Sequence, residues 1–123
     1  MNLGFLISMY DEIDTVKQTV SILKQNKCKI ILIQSDPGDS SKILDNLQID
    51  YYKKLSDVAG SKEEYLEERN LNNLEGSTTP VKAITRNLSI GFSASQNLTV
   101  DWWIVILGDI LISNLSGIKK IIN

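Results

Sequence analysis

Residues 3–12 read Leu-Gly-Phe-Leu-Ile-Ser-Met-Tyr-Asp-Glu, and this stretch decides the fold. Its first five residues are apolar without alternation, which is typical of a strand buried on both faces. The polar and acidic residues that follow mark the carboxyl end of that strand. An amphipathic helical period begins at once, and its apolar members are Ile13, Val16, Val20 and Leu23. The stretch therefore predicts a strand that runs directly into a helix, the first part of a βαβ unit.

Two further runs are continuously apolar, residues 30–33 (Ile-Ile-Leu-Ile) and residues 102–107 (Trp-Trp-Ile-Val-Ile-Leu). Both predict strands buried on both faces, with a short buried helix as the alternative. Residues 49–53 predict a third, more exposed strand. One short helix is expected after the serines at 40 and 41. Another is expected at Thr79-Pro80, since threonine suits an N-cap and proline the first helical position.

Residues 57–79 are charged and polar, and we interpret them as an excursion over the strand ends. The capping-box pattern Ser61-Lys62-Glu63-Glu64 predicts a surface helix within them. No repeat or composition shift indicates a second domain, so residues 1–123 are expected to form one. The order of elements predicts an α/β fold with three α/β/α layers and a mainly parallel sheet. Such sheets bind ligands at the carboxyl ends of the strands, where strand order reverses.

Composition excludes several classes of function. The chain has 13 basic and 15 acidic residues, a net charge of −2 and no basic stripe, so a nucleic-acid partner is not expected. The absence of histidine excludes Ser-His-Asp and Cys-His catalysis and histidine-ligated zinc. The single Cys28 cannot form an internal disulfide, which favours the reducing cytoplasm. No apolar run approaches the ~20 residues that a transmembrane helix needs, and no signal peptide is expected.

Acidic and aromatic residues at the predicted strand ends are the candidates for binding. Asp109 follows Gly108 at the end of the most apolar run, where a carboxylate suits a divalent cation bridging to phosphates. Asp36 could accept hydrogen bonds from a base or ribose. Tyr10 could stack on a base, and Glu12 could bond its edge or the ribose. Each has a structural alternative: a strand-end cap for Asp109, turn chemistry for Asp36, and helix capping with dipole complementarity at residues 10–12.

Lys82 and Arg86 lie four residues apart on one predicted helix, opposite its apolar face. Together they could clamp a diphosphate, although a solvated helix face is the usual explanation of such a pair. Trp102 and Trp103 are expected on opposite faces of their strand, where tryptophans are more often core residues than a stacking platform.

The order of these motifs resembles the nucleotide-binding half of the family 2-type glycosyltransferases, which have the GT-A fold. In members of the family, a first strand is followed by the motif P-x-Y-N-E and a helix. A second strand is followed by D-D-G-S-x-D and later by A-R-N-x-G, and a further strand ends in D-x-D. This chain has Ser-Met-Tyr-Asp-Glu at 8–12, Gln-Ser-Asp-Pro-Gly-Asp-Ser at 34–40, Thr-Arg-Asn-Leu-Ser at 85–89 and Gly-Asp at 108–109. The resemblance covers nearly the whole chain in order and spacing, and no single motif is a full match.

The resemblance implies a nucleotide-diphospho-sugar as the partner. Tyr10 and Glu12 would lie beside the base and ribose, and Asp36 would contact the base or ribose. Arg86 would lie near the sugar-diphosphate. Asp109 would be what remains of the metal-binding D-x-D, with Mn²⁺ or Mg²⁺ as the cofactor.

Three departures separate the chain from the family pattern. Gly-Asp-Ile at 108–110 stands where the family has the two aspartates of D-x-D. Ser35 stands where the family has the first aspartate of D-D-G-S-x-D. The sequence stops at Asn123, before the half that supplies the acceptor site and catalytic base in the family. No residue is therefore assigned as catalytic.

Three functions follow as hypotheses. The first, which the resemblance implies, is the donor-binding half of a metal-dependent glycosyltransferase-like enzyme. The alternative is a non-catalytic GT-A-like binding or interaction module without metal dependence, which could form a homo-oligomer through apolar residues near 118–122. The third is a receiver-like phosphoacceptor domain, which the lack of a late strand with a lysine disfavours.

Overall fold

The computed structural model describes residues 2–35, 38, 40, 44–55 and 81–122. Its strands are β1 (Leu3–Met9), β2 (Lys29–Gln34), β3 (Tyr51–Lys54) and β4 (Trp102–Leu107), and its helices are α1 (Ile13–Gln25), α2 (Val81–Ser95) and α3 (Ser116–Ile122). Asp36, the excursion at 57–79 and the helix start at Thr79-Pro80 lie outside the described residues, as does the side chain of Lys82.

The four strands are all parallel, in the order β3-β2-β1-β4. Phe5 in the central β1 lies between Ile30 of β2 and Ile104 of β4. The chain moves outward from β1 to β2 and β3 and then returns to the other side of β1 as β4. Strand order therefore reverses at β1, and the topological switch point lies between the carboxyl ends of β1 and β4.

Helices cover both faces of the sheet. On one face, Phe5 and Ile7 of β1 share an apolar cluster with Val16 and Val20 of α1 and with Ile118 of α3. On the other face, a second cluster joins β1 and β2 to α2; its members include Leu6, Ile31, Ile33, Leu88 and Ala94. The described residues thus form the predicted three-layer α/β/α fold with a parallel sheet.

Helix α1 buries the predicted apolar residues Val16, Val20 and Leu23, and Ile13 packs at the margin of the same core. The helix ends at Gln25 because the chain then turns sharply. Lys27 adopts a left-handed conformation (φ 59°), and the Asn26 amide donates to the Ile22 carbonyl at 2.8 Å. Cys28 follows as a buried member of the core, and this burial raises the pKa of its thiol.

Strand β4 differs from the sequence prediction, which was burial on both faces. Trp102 is 52% exposed and Val105 is 41% exposed. The reason is position: β4 is an edge strand among the described strands, and α2 packs on β1 and β2. The prediction for β3 is confirmed, since Tyr51 and Tyr52 are both partly exposed on the opposite edge.

Among the helices that the structure describes, none has the length and apolar character needed to cross a membrane.

Candidate functional site

Two loops leave the sheet side by side at the switch point. Residues 10–12 follow β1, and Gly108 and Asp109 follow β4. The last pair in register is Ser8 with Leu107, and the Gly108 N–H donates to the Ser8 carbonyl at 2.8 Å. The structure therefore brings three of the predicted site residues, Tyr10, Glu12 and Asp109, to the same end of the sheet.

The carboxylate of Glu12 lies between the two loops. Its Oε2 accepts a hydrogen bond from the Tyr10 N–H at 2.5 Å. Although Glu12 lies at the N-cap position of α1, its side chain makes no capping hydrogen bond to that helix. Asp11 adopts a left-handed conformation (φ 56°), which folds the loop back on itself. The capping alternative therefore does not describe Glu12, whose carboxylate bonds the loop that precedes the helix.

Gly108 leaves room for that carboxylate. A β-carbon at position 108 would lie 2.7 Å from Glu12 Oε2 and 3.2 Å from the Met9 α-carbon. Both contacts are closer than ordinary van der Waals packing permits. Glycine thus suits position 108, where the Met9 backbone and the flexible Glu12 side chain both approach closely.

Asp109 is exposed at the tip of a tight turn in which the Ile110 N–H donates to the Leu107 carbonyl at 3.1 Å. Among the described residues, no group of three or more Cys, Asp or Glu side chains could hold a metal ion. A cation held by Asp109 would need phosphate oxygens as its remaining ligands, as Mg²⁺ commonly has when it takes one or two carboxylates.

A buried polar cluster, which sequence reasoning missed, lies at the same end of the sheet. The Asn87 amide is only 2% exposed and donates to the hydroxyls of Ser8, at 2.9 Å, and Ser35, at 2.5 Å. It fastens α2 to the ends of β1 and β2. A signal was present, because Asn87 lies three residues after Ile84 and four before Gly91, on the stripe of α2 that faces the sheet.

Arg86 lies beside this cluster. Helix α2 runs antiparallel to β1, since Gly91 lies against Leu6 whereas Asn87 reaches Ser8, further toward the carboxyl end. Within the described part of the chain, the buried Nε and Nη2 atoms of Arg86 have no hydrogen-bond partner. These two nitrogens form one edge of the guanidinium, the edge that binds a carboxylate or phosphate through two parallel hydrogen bonds.

Gln34, the last residue of β2, bonds to Gly38 and to Tyr52 of β3. Its fully buried amide donates from Nε2 to the Gly38 carbonyl at 2.9 Å, and its Oε1 accepts from the Tyr52 hydroxyl at 2.6 Å. Neither Gln34 nor Tyr52 was a sequence candidate, because a polar residue at a strand end gives no sign of its partner.

A groove of about 710 Å³ lies elsewhere, between α1 and residues 111–113. Thr19 ties residues 110 and 112 to α1 beneath the groove, since its hydroxyl donates to the Ile110 carbonyl and accepts from the Ile112 N–H, both at 3.1 Å. Ile22 and Leu111 contribute apolar lining, and Asp14 contributes a carboxylate. No predicted site residue lines this groove.

Comparisons with models of protein families, with curated proteins and with solved structures found no match for this chain. The resemblance to glycosyltransferases therefore rests on the motifs quoted above.

Proposed function

We propose that this chain binds a nucleotide-diphospho-sugar in the crevice between β1 and β4, as the donor-binding part of a glycosyltransferase-like protein. The observation that carries the proposal is the reversal of strand order at β1, with Tyr10, Glu12 and Asp109 at that point. Open parallel sheets bind their ligands at this position.

The side chains at the crevice supply chemistry suited to such a ligand. Tyr10 and Glu12 would contact the base and ribose, together with Asp36 from the loop after β2. Asp109 would hold Mn²⁺ or Mg²⁺, which would neutralise the diphosphate. The unpaired edge of Arg86 would bind diphosphate oxygens, and its burial strengthens that interaction because little water competes.

The proposal covers donor binding and assigns no catalytic residue. A metal-independent binding module is the alternative, favoured by the lack of a three-ligand carboxylate group among the described residues. The proposed location is the cytoplasm, which the single buried Cys28 supports. Self-association of the chain is a separate proposal, because it involves none of the residues assigned to the nucleotide.

Calorimetric titration tests the proposal. UDP, GDP and their sugar conjugates are titrated into the chain with and without Mn²⁺. We expect saturable binding of one nucleotide that weakens at least tenfold without metal. Asp109→Asn should reproduce the weakening, because it removes the anionic ligand and retains the side-chain shape.

The matched control is Asp45→Asn, which removes the same charge from an exposed residue in the segment between β2 and β3. It should bind like the unchanged chain. Binding that needs neither metal nor Asp109 would favour the binding module. The absence of binding to any of these nucleotides would contradict the proposal.

A further inference from the structure

Among the described strands, β4 forms an outer edge of the sheet and lacks the protection that such edges normally carry. Strand β4 contains six apolar residues with no charge or proline, and no described strand pairs with its outer side. The opposite edge strand, β3, ends in Lys53 and Lys54. Charged residues of that kind discourage edge-to-edge pairing, whereas an apolar, uncharged edge promotes it.

The backbone groups on this edge can be identified from the sheet register. The Gly108 N–H donates to the Ser8 carbonyl of β1, so position 108 faces β1. Because backbone groups alternate in direction along a strand, Ile104 and Ile106 also face β1. The N–H and C=O groups of Trp103, Val105 and Leu107 therefore point outward. Only an extended strand can pair with such a row.

We infer that β4 pairs antiparallel with β4 of a second copy of this chain, about a two-fold axis at Ile104. The copy is the occupant whose chemistry fits, since β4 is itself extended, apolar and exposed. The inference does not depend on the proposed nucleotide site, because it concerns the outer edge of the strand.

Side-chain direction limits the possible registers, and charge favours Ile104 over Val105 as the position of the axis. Directly opposed residues must have their side chains on the same face of the joined sheet. The two-fold axis must therefore lie between one residue and the same residue of the second copy. An axis at Val105 would place Asp101 directly opposite Asp109 of the copy, which is unfavourable for like charges. An axis at Ile104 places Asp101 opposite Leu107.

The register centred on Ile104 also covers the exposed apolar side chains. Val105, 41% exposed, would lie opposite Trp103 of the copy, and Trp102, 52% exposed, would lie opposite Ile106. Pairs of an aromatic with a β-branched residue are favourable across antiparallel strands. Trp103 and Val105 both direct their backbone groups outward, so each such pair can exchange two hydrogen bonds.

Sedimentation equilibrium over a concentration series tests the pairing. The unchanged chain should form a dimer, and Val105→Lys should weaken its association at least tenfold. Tyr51→Lys, the same type of change on the opposite edge, should leave association unchanged. Circular dichroism identifies any variant that fails to fold. A monomer at every concentration, or a dimer insensitive to Val105→Lys, would overturn the inference.

Cysteine cross-linking tests the register. It does not depend on the Val105→Lys variant, so it remains informative if that variant fails to fold. Ile104→Cys should form a covalent dimer under mild oxidation, because opposed residues on the axis have α-carbons ~4.5 Å apart, within disulfide range. Val105→Cys should not, since its counterpart is displaced diagonally. The unchanged chain, whose Cys28 is buried, is the control. Cross-linking at 105 and not at 104 would overturn the register.

Discussion

The carboxylate of Glu12 lies against Gly108, so close that a β-carbon at position 108 would be 2.7 Å from Oε2. This contact joins the loop after β1 to the loop after β4. The same oxygen accepts the Tyr10 N–H, so Glu12 cannot move away without losing a hydrogen bond. The contact therefore links the geometry of the proposed base and ribose contacts to that of the proposed metal ligand.

Gly108→Ala should disturb this contact. The added methyl group displaces Glu12 and presses on the Met9 backbone, so we expect about 1–2 kcal/mol of destabilisation by urea unfolding. Glu12→Ala in the same chain should relieve part of that loss, giving a coupling above about 0.5 kcal/mol in a double-mutant cycle. Strictly additive effects would show that the two residues do not constrain one another.

Asn87→Ala should destabilise the chain by about 1–2 kcal/mol, because it leaves the buried hydroxyls of Ser8 and Ser35 without their donor. Chemical denaturation measures the effect. Ser89→Ala, on an exposed position of the same helix, is the control and should be nearly neutral. Equal stability of the two variants would mean that the Asn87 cluster does not hold α2 to the sheet.

Two glycines in helices should respond oppositely to alanine. At Gly91 a β-carbon would collide with the Leu6 side chain, so Gly91→Ala should cost about 1–3 kcal/mol despite the better helix propensity of alanine. At Gly117 a β-carbon meets nothing within 4 Å, so Gly117→Ala should stabilise by about 0.5 kcal/mol. Thermal unfolding of both variants gives the comparison. A stabilising Gly91→Ala would contradict the packing of α2 on β1.

Asp50 should make stability depend on pH. Burial alone would raise its pKa, but hydrogen bonds from the Lys24 ammonium (2.8 Å) and the Ile30 N–H (2.7 Å), and the charge of Lys29, lower the pKa below its ordinary value of 3.8. A lowered pKa in the folded state stabilises above the unfolded-state pKa, and the contribution is lost as the pH falls through the folded-state pKa.

The corresponding test is Asp50→Asn, which should cost about 1 kcal/mol at pH 7. The difference from the unchanged chain should shrink as the pH falls below about 4. Urea unfolding at pH 7, 4 and 3 provides the series. A difference that stays constant or grows in acid would show that the Asp50 charge is not stabilised by folding.

Sequence patterns predicted most of the fold because local features determine it. The stripe from Ile13 to Leu23 specifies a helix by its period, and residues 30–33 specify a buried strand by continuous apolarity. The same argument was wrong about the burial of β4, since Trp102 and Val105 carry no mark of edge position. Whether an apolar strand lies inside a sheet or at its edge depends on which other strands exist.

The candidate site was predictable only in part. Strand order placed Tyr10, Glu12 and Asp109 at one crevice because carboxyl ends of parallel strands share an edge of the sheet. The partners of Asn87 were not predictable, since Ser8 and Ser35 are 79 and 52 residues away along the chain. Such contacts follow from the angle and depth at which a helix packs, which short sequence patterns do not encode.

The most direct measurement is an NMR titration of the uniformly ¹⁵N-labelled chain with UDP and Mg²⁺, following every backbone amide. We predict that the largest shift changes fall on Tyr10, Glu12, Gly108 and Asp109, at the end of the sheet where strand order reverses. Changes confined to the groove beside Lys17 and Ile112, or no changes at saturating UDP, would contradict the proposed site.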